Sequence, residues 1–228
     1  MLFSPPSPPI SAAALRAILA QECTALAPEC AGVFGRQGLF IGCDAELIEH
    51  LATPMLGRRV GLHVLSSDRF GGDARCAPDE LPFADESFRL VVVQHAFEQI
   101  DDAAALRDEV VRVLEPGGMA MIVGFARFGI WRPWLARHER PSARYASALS
   151  WRRALVARGV DVYAQRRIGP TSLAFRHVRV RLPSVFRPSW LLLARKRSTA
   201  ALAARHPVTL RRRPVRAHLA SGTQRASA

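Results

Sequence analysis

Short apolar runs bounded by glycine alternate with stretches of helical spacing along most of this chain. Leu39-Phe40-Ile41 lies between Gly38 and Gly42, too short for a helix, and reads as a buried strand. Val60 to Leu65 is a second strand of similar length, and Phe88 to Val93 is a continuous run rich in valine. Such a run suits a strand covered on both faces in a parallel sheet. Met119 to Phe125 repeats the pattern, Val160 to Ala164 is shorter, and Trp190 to Ala194 is the last of the set. Helical spacing appears where Leu15, Ile18, Leu19 and Leu26 recur between Ser11 and about Ala27, with Ser11 placed as N-cap. Asp44 is positioned to cap a helix through Leu51. Asp101 and Asp102 open a helix carrying Leu106, Val110, Val113 and Leu114 on one face, and Leu149 to Arg158 forms another. Glu115-Pro116-Gly117-Gly118 predicts a tight turn between that first helix and the strand at Met119.

Strand, helix and strand joined by short connections is the βαβ pattern of an α/β sheet. With 228 residues, 49% of them apolar, the chain suffices for one domain with a substantial core. The expected organisation is an extended Pro/Ser-rich segment at 1–10, a folded domain at 11–198 and a disordered tail at 199–228. No apolar stretch approaches the roughly 18 residues of a membrane span, and the first ten residues do not resemble a secretory signal. Cys23, Cys30, Cys43 and Cys76 form no CxxC pair, so the expectation is reduced thiols in a cytoplasmic protein without a metal site.

The net charge of +13 is unevenly placed. Residues 1–161 hold 17 basic and 19 acidic side chains, whereas the 67 residues after Asp161 hold 15 basic and no acidic ones. Lys196 is the single lysine. That near-complete use of arginine points to a GC-rich coding genome before it points to nucleic acid.

The string from Leu81 to Gly124, LPFADESFRLVVVQHAFEQIDDAAALRDEVVRVLEPGGMAMIVG, resembles the central block of class I S-adenosylmethionine-dependent methyltransferases. That block runs through LPF-x-D-x-SFD-LVV and HVLEHV, a helix, VL-x-PGG and a hydrophobic strand. The segments around Phe34 to Gly42 and the GFARFGIW stretch extend the likeness toward a bacterial methyltransferase type 11-like branch. The resemblance implies an α/β, Rossmann-like doubly wound sheet of about seven strands with the last strand antiparallel. It implies S-adenosylmethionine as cofactor, held over the carboxyl ends of the first strands, and a methyl acceptor that the sequence does not identify.

The family's ligand requirements can be compared with this chain one at a time. Its acid-x-Gly-x-Gly-x-Gly turn corresponds to Phe40, Gly42, Asp44 and Glu46, so one glycine of three is kept. Its ribose-binding acid at the end of the second strand falls in Leu65-Ser66-Ser67, and its adenine-binding acid aligns with Ala77, two residues from Asp79. Arg89 stands where the family has Asp. Losing two charge-assisted hydrogen bonds costs roughly 1.5–3 kcal/mol each. The resemblance thus assigns cofactor contacts to Gly42, Cys43, Asp44, Ser66, Asp79, Gln94 and His95. It also leaves open a methyltransferase-fold protein that has lost catalysis and acts as a binding or regulatory partner.

No catalytic triad is demanded, because the methyl group leaves a positive sulfur by in-line attack and positioning supplies much of the catalysis. His95 is the one candidate base, against its reading as a helix-start residue satisfied locally with Glu98. Trp131, Arg132, Pro133 and Trp134 follow the fifth family strand, where an acceptor pocket or a packed lid belongs. The basic tail, with Arg195-Lys196-Arg197 and Arg211-Arg212-Arg213, suits non-specific contact with RNA or an anionic surface, or simple solvation.

Overall fold

The computed structural model describes residues 12–126, 147–170, 172–175, 178–181 and 183–198. The amino-terminal segment, Trp131 to Trp134 and the tail from 199 lie outside these residues.

Helix α1 (Ala12–Ala31) leads into strand β1 (Gly35–Gly42), a single helical turn α2 (Leu47–His50), and the hairpin of β2 (Leu56–Ser66) with β3 (Arg69–Gly72). Then follow β4 (Phe88–Gln94), a 3-10 turn at Ala96–Glu98, α3 (Ala103–Val113) and β5 (Leu114–Phe125). Helix α4 (Ala148–Ala157), β6 (Val160–Ile168), a separate β7 (Ser172–Phe175) and β8 (Val178–Arg181) ribbon, and β9 (Ser189–Lys196) complete the order. The main sheet has seven strands in the order β3-β2-β1-β4-β5-β9-β6. Strands β2, β1, β4 and β5 are mutually parallel, and β9 runs antiparallel to both neighbours. This is the expected doubly wound sheet with its last strand reversed.

Both faces of the sheet are covered, and the side chains divide with a period of two. Leu39, Ile41, Val91, Val93 and Ile122 face α3 and α4, meeting Leu106, Val110 and Trp151. Phe40, Leu90, Val92, Met121 and Leu193 face the opposite layer, where α1 contributes Cys23, Leu26 and Cys30. Each such fully buried aliphatic side chain stabilises the fold by about 1.5–3 kcal/mol. Asp102 caps α3 as expected, its carboxylate accepting from the amides of Ala104 and Ala105 at 2.9 Å.

Several elements differ from the sequence reading. Helix α1 continues through Pro28 to Ala31 because Leu26 and Cys30, one turn apart, are both fully buried. The helix expected from Asp44 through Leu51 shrinks to one turn, since Asp44 uses its carboxylate to accept from the Glu46 amide two residues on. The expected turn at Glu115–Gly118 is absorbed into β5 as an irregularity opposite Phe88 and Leu90, with Gly117 at φ 76°.

The largest unforeseen feature is β3. After Ser66 the chain reverses within two residues and pairs antiparallel with β2, Leu62 lying opposite Gly72. Gly72 has φ 118°, and a Cβ there would stand 2.3 Å from the Gly61 carbonyl oxygen. Only glycine brings the returning strand this close.

Candidate functional site

The carboxyl ends of β1 and β4 meet directly. Gly42 and His95 form an isolated antiparallel bridge, the Cys43 amide donates to the Gln94 carbonyl at 2.9 Å, and the His95 amide donates to Val123 at 3.0 Å. His95 takes φ 55°, a left-handed conformation uncommon for a non-glycine residue and worth of order 1 kcal/mol or more of strain. That kink turns its ring inward, where it is 1% exposed and stacked on Phe125 at 3.7 Å between centroids.

Both ring nitrogens of His95 face carboxylates. Nε2 lies 2.9 Å from Glu22 of α1, and Nδ1 lies 2.8 Å from Glu98. A neutral imidazole has one donor nitrogen and one acceptor, so two carboxylate neighbours select the doubly protonated ring. Burial alone pulls the His95 pKa down, but the charge and hydrogen bonds of Glu22, with those of Glu98, reverse this and push it up to about 10. Glu22 also accepts from the Gln94 amide at 2.8 Å and from the Ser189 hydroxyl. Glu98 accepts from the Phe125 amide at 2.7 Å. The network draws its members from α1, β4, the turn after β4, β5 and β9, and each is buried.

Of the residues assigned to the cofactor by resemblance, Gly42, Cys43, Asp44, Gln94 and His95 therefore come together, but not equally available. Gln94 and His95 are engaged inside the protein, and so is the Cys43 amide. A Cβ on Gly42 would meet the Asp44 carbonyl oxygen at 2.6 Å and Leu47 at 3.0 Å, so the glycine is required by the loop that follows it. Ser66 stands at the β2–β3 turn, donating to Asp68 at 2.6 Å. That hydroxyl holds the Asp68 carboxyl below its ordinary range. Asp79 is exposed in the loop after β3 and makes no hydrogen bond among the described residues.

The open part of the cleft lies one strand over. A cavity of about 190 Å³ sits against β2, lined by the apolar Phe40, Leu47 and Ile48 and by Asp44, His63 and the exposed Asp73. Asp73 is held there from two sides: its amide donates to the Gly61 carbonyl at 2.9 Å, and its Oδ2 accepts from the Gly61 amide at 2.7 Å. Asp44 engages Oδ1 with Glu46. One oxygen of each carboxylate and the His63 ring have no hydrogen-bond partner among the described residues. A much smaller hollow of about 10 Å³ between α1 and the Asp44–Glu46 loop has room for about one water.

Sequence reasoning found neither Glu22 nor Asp73. Arg89 is local: its guanidinium pairs with Glu115 at 3.2 Å, and its methylenes fill the space a Gly35 side chain would need. The Arg195-Lys196-Arg197 cluster, read as part of a basic contact surface, is largely engaged within the fold. Lys196 bonds the Val111 and Leu114 carbonyls, and Arg197 grips Asp161 through Nε and Nη2. No group of three or more metal-ligating side chains occurs among the described residues.

Comparison with known proteins agrees with this architecture. The methyltransferase domain family matches residues 63–122, from β2 into β5. The ubiquinone/menaquinone biosynthesis C-methyltransferase of Desulfotalea psychrophila is 44% identical over 43 residues, 19% of this chain and 18% of that protein. The match thus spans under a fifth of the curated relative. An S-adenosylmethionine-dependent methyltransferase of Thermotoga maritima shares the fold with a TM-score of 0.54 at 17% identity, over 80% of this chain and 91% of that one. A methyltransferase of Haloferax volcanii, solved in complex with the Trm112 methyltransferase activator, gives 0.53 at 16% identity over 77% and 94%.

Proposed function

We propose that the chain is a class I S-adenosylmethionine-dependent methyltransferase that transfers a methyl group from S-adenosylmethionine to an acceptor. The observation that carries this reading is the methyltransferase-domain match over residues 63–122, from β2 into β5. The donor set fits the cofactor: the half-open cavity has apolar walls, and Asp44, His63 and Asp73 at its edge present acceptors to a ligand rich in hydroxyl and amino hydrogens. When bound, the cofactor supplies an electrophilic methyl group on a sulfonium. The protein's part is to bind, orient and exclude water. Gly42 keeps the turn after β1 tight, Asp44 and the cavity edge hold polar hydrogens, and Cys43 anchors the turn to β4 through its amide. His95 has no ring nitrogen left for an acceptor substrate, so proton removal is not assigned to it.

The four cysteines are free thiols, which suits a reducing compartment and a cytoplasmic location. No described helix is long and apolar enough to cross a membrane. Calorimetry on the full chain tests the reading: S-adenosylhomocysteine binding is expected, and no heat at millimolar ligand overturns it.

A second reading has its own observation. The engagement of Gln94, His95 and the Cys43 amide inside the protein favours a methyltransferase-fold chain acting as a binding or regulatory partner without catalysis. Methyl transfer from labelled S-adenosylmethionine to any lysate component, abolished by Gly42→Val, excludes it.

A further inference from the structure

We propose that the amino-terminal half of α1 is an inhibitory plug, latched by Glu22 onto Gln94 and His95, that swings away about Pro28 to admit a ligand at the ends of β1 and β4. The proposal deepens the methyltransferase reading and rests on it for the identity of that ligand.

In an open α/β sheet, ligands enter the crevice outside the carboxyl ends of the strands. Here α1 lies across that crevice. Gln94 Nε2 donates to Glu22 at 2.8 Å and to the Leu19 carbonyl at 3.4 Å, and Glu22 meets the His95 ring at 2.9 Å. What remains between Leu19, Ala20 and Cys23 of α1 and the Asp44–Glu46 loop is the hollow of about 10 Å³, the space of about one water. A nucleoside cannot enter there while α1 stays in place.

The helix is held differently along its length. Leu26 and Cys30 are fully buried in the apolar layer with Phe40 and Val92, and Cys30 Sγ lies 3.6 Å from Met121 Sδ. Ile18 and Leu19 are buried but belong to neither apolar layer of the sheet. Their half of the helix is tied to the strands through Glu22, which engages Gln94, His95 and Ser189. Desolvation offsets much of the attraction between buried charges, so this latch releases into water more cheaply than apolar packing does. Pro28, inside the helix, lacks the amide that would bond the Thr24 carbonyl one turn back. A rung is therefore missing between the latch at Glu22 and the anchor at Cys30.

Thiol labelling of the full chain, resolved by mass spectrometry, reads the opening without any ligand. Cys23 sits on the plug and Cys30 on the anchor, and both are buried. Cys23 should label about tenfold or more faster than Cys30, with a weaker dependence on urea because less surface opens. Calorimetry with S-adenosylhomocysteine supplies the second arm. Glu22→Gln should tighten binding about tenfold by raising the open fraction. Pro28 is exposed, and Pro28→Ala restores the missing rung without disturbing the core, so binding should weaken. The ligand should accelerate labelling of Cys23 while slowing that of Cys30, because it favours the displaced helix and stabilises the domain.

Equal labelling of the two thiols with one urea dependence overturns the plug, since α1 then opens only with the whole domain. Protection of Cys23 by the ligand also overturns it, because the helix then closes over what it was inferred to exclude. Binding that is unchanged in both variants overturns the plug and leaves the methyltransferase reading standing. Faster labelling of Cys23 with no binding at millimolar ligand, in the native chain or either variant, supports the plug and overturns the methyltransferase reading.

Discussion

Glu22 of α1 and His95 at the end of β4 form a fully buried ion pair at 2.9 Å across 73 residues of sequence. Their contact is the meeting point of the amino-terminal helix with the carboxyl edge of the sheet. With Glu98 on the other ring nitrogen, the imidazolium stands between two buried carboxyl groups, and burial raises the pKa of Glu98. Neutral donors from Gln94, Ser189 and Phe125 surround them. Such a cluster fixes geometry more surely than it adds stability, because desolvation offsets much of the attraction.

The pH dependence of folding follows from the His95 shift. Folded His95 holds its proton up to about 10, above the ordinary value of 6.5. Its contribution is therefore fully present below about pH 6.5 and is lost progressively as pH rises toward 10. The Cys23 and Cys30 thiols, raised by burial to about 12, begin to add a loss of the same sign only above about pH 9. Urea midpoints should thus fall between pH 6.5 and 8.5 in the native protein. In His95→Gln the midpoint should be lower and nearly level across that interval. A level native profile would mean that the ring is neutral in the fold.

Removing Glu22 should cost more than removing its charge. Glu22→Ala leaves the imidazolium with one carboxylate, strands the Ser189 hydroxyl and leaves the Gln94 amide only its longer bond to the Leu19 carbonyl, a loss on the order of 3–5 kcal/mol. Glu22→Gln keeps an acceptor oxygen and most of the volume and should lose less. Urea unfolding gives both values, and NMR titration of His95 should show its pKa falling in either variant.

Much of the sheet was legible because β4 and β5 are continuous apolar runs, and a strand buried on both faces leaves that signature. Helix α3 was legible for a different reason, the Asp102 cap followed by Leu106 and Val110 on one face. The β2–β3 hairpin was not. Arg69-Phe70-Gly71-Gly72 has no alternation, and its glycines read as a break in structure, although Gly72 is what lets the strand return. Glu22 was equally silent, a single acid in a helix whose partners lie 72, 73 and 167 residues away. Local spacing carries no record of contacts at that range. Family resemblance located Gln94 and His95 at the correct strand end but could not register that α1 engages them.

Lys196 is the single lysine in a chain otherwise built with arginine, and its surroundings explain the choice. Its ammonium donates to the Val111 and Leu114 carbonyls at 2.9 and 2.7 Å, at the carboxyl end of α3, and lies 3.3 Å from Glu86. A compact group with three rotatable donors suits these converging acceptors, whereas a planar guanidinium does not. Lys196→Arg should lose about 1–2 kcal/mol and Lys196→Met about 1–3 kcal/mol, since the helix-end carbonyls lose their partner. Equal stability of the arginine variant and the native protein, in urea unfolding, would refute this account.

Gly72→Ala tests whether the hairpin return is held by backbone conformation. At φ 118° an alanine is strained, and its Cβ would stand 2.3 Å from the Gly61 oxygen. Strand β3 must then draw away from β2, breaking the Asp73–Gly61 pair of hydrogen bonds. The expected loss is about 2 kcal/mol or more, and it should be local. Hydrogen exchange should accelerate at the Gly61 and Asp73 amides, which bond each other's residue across the hairpin, while Val92 and Ile122 in the centre of the sheet keep their order of protection. Loosening that spreads evenly through the sheet would show instead that the hairpin is part of the cooperative core.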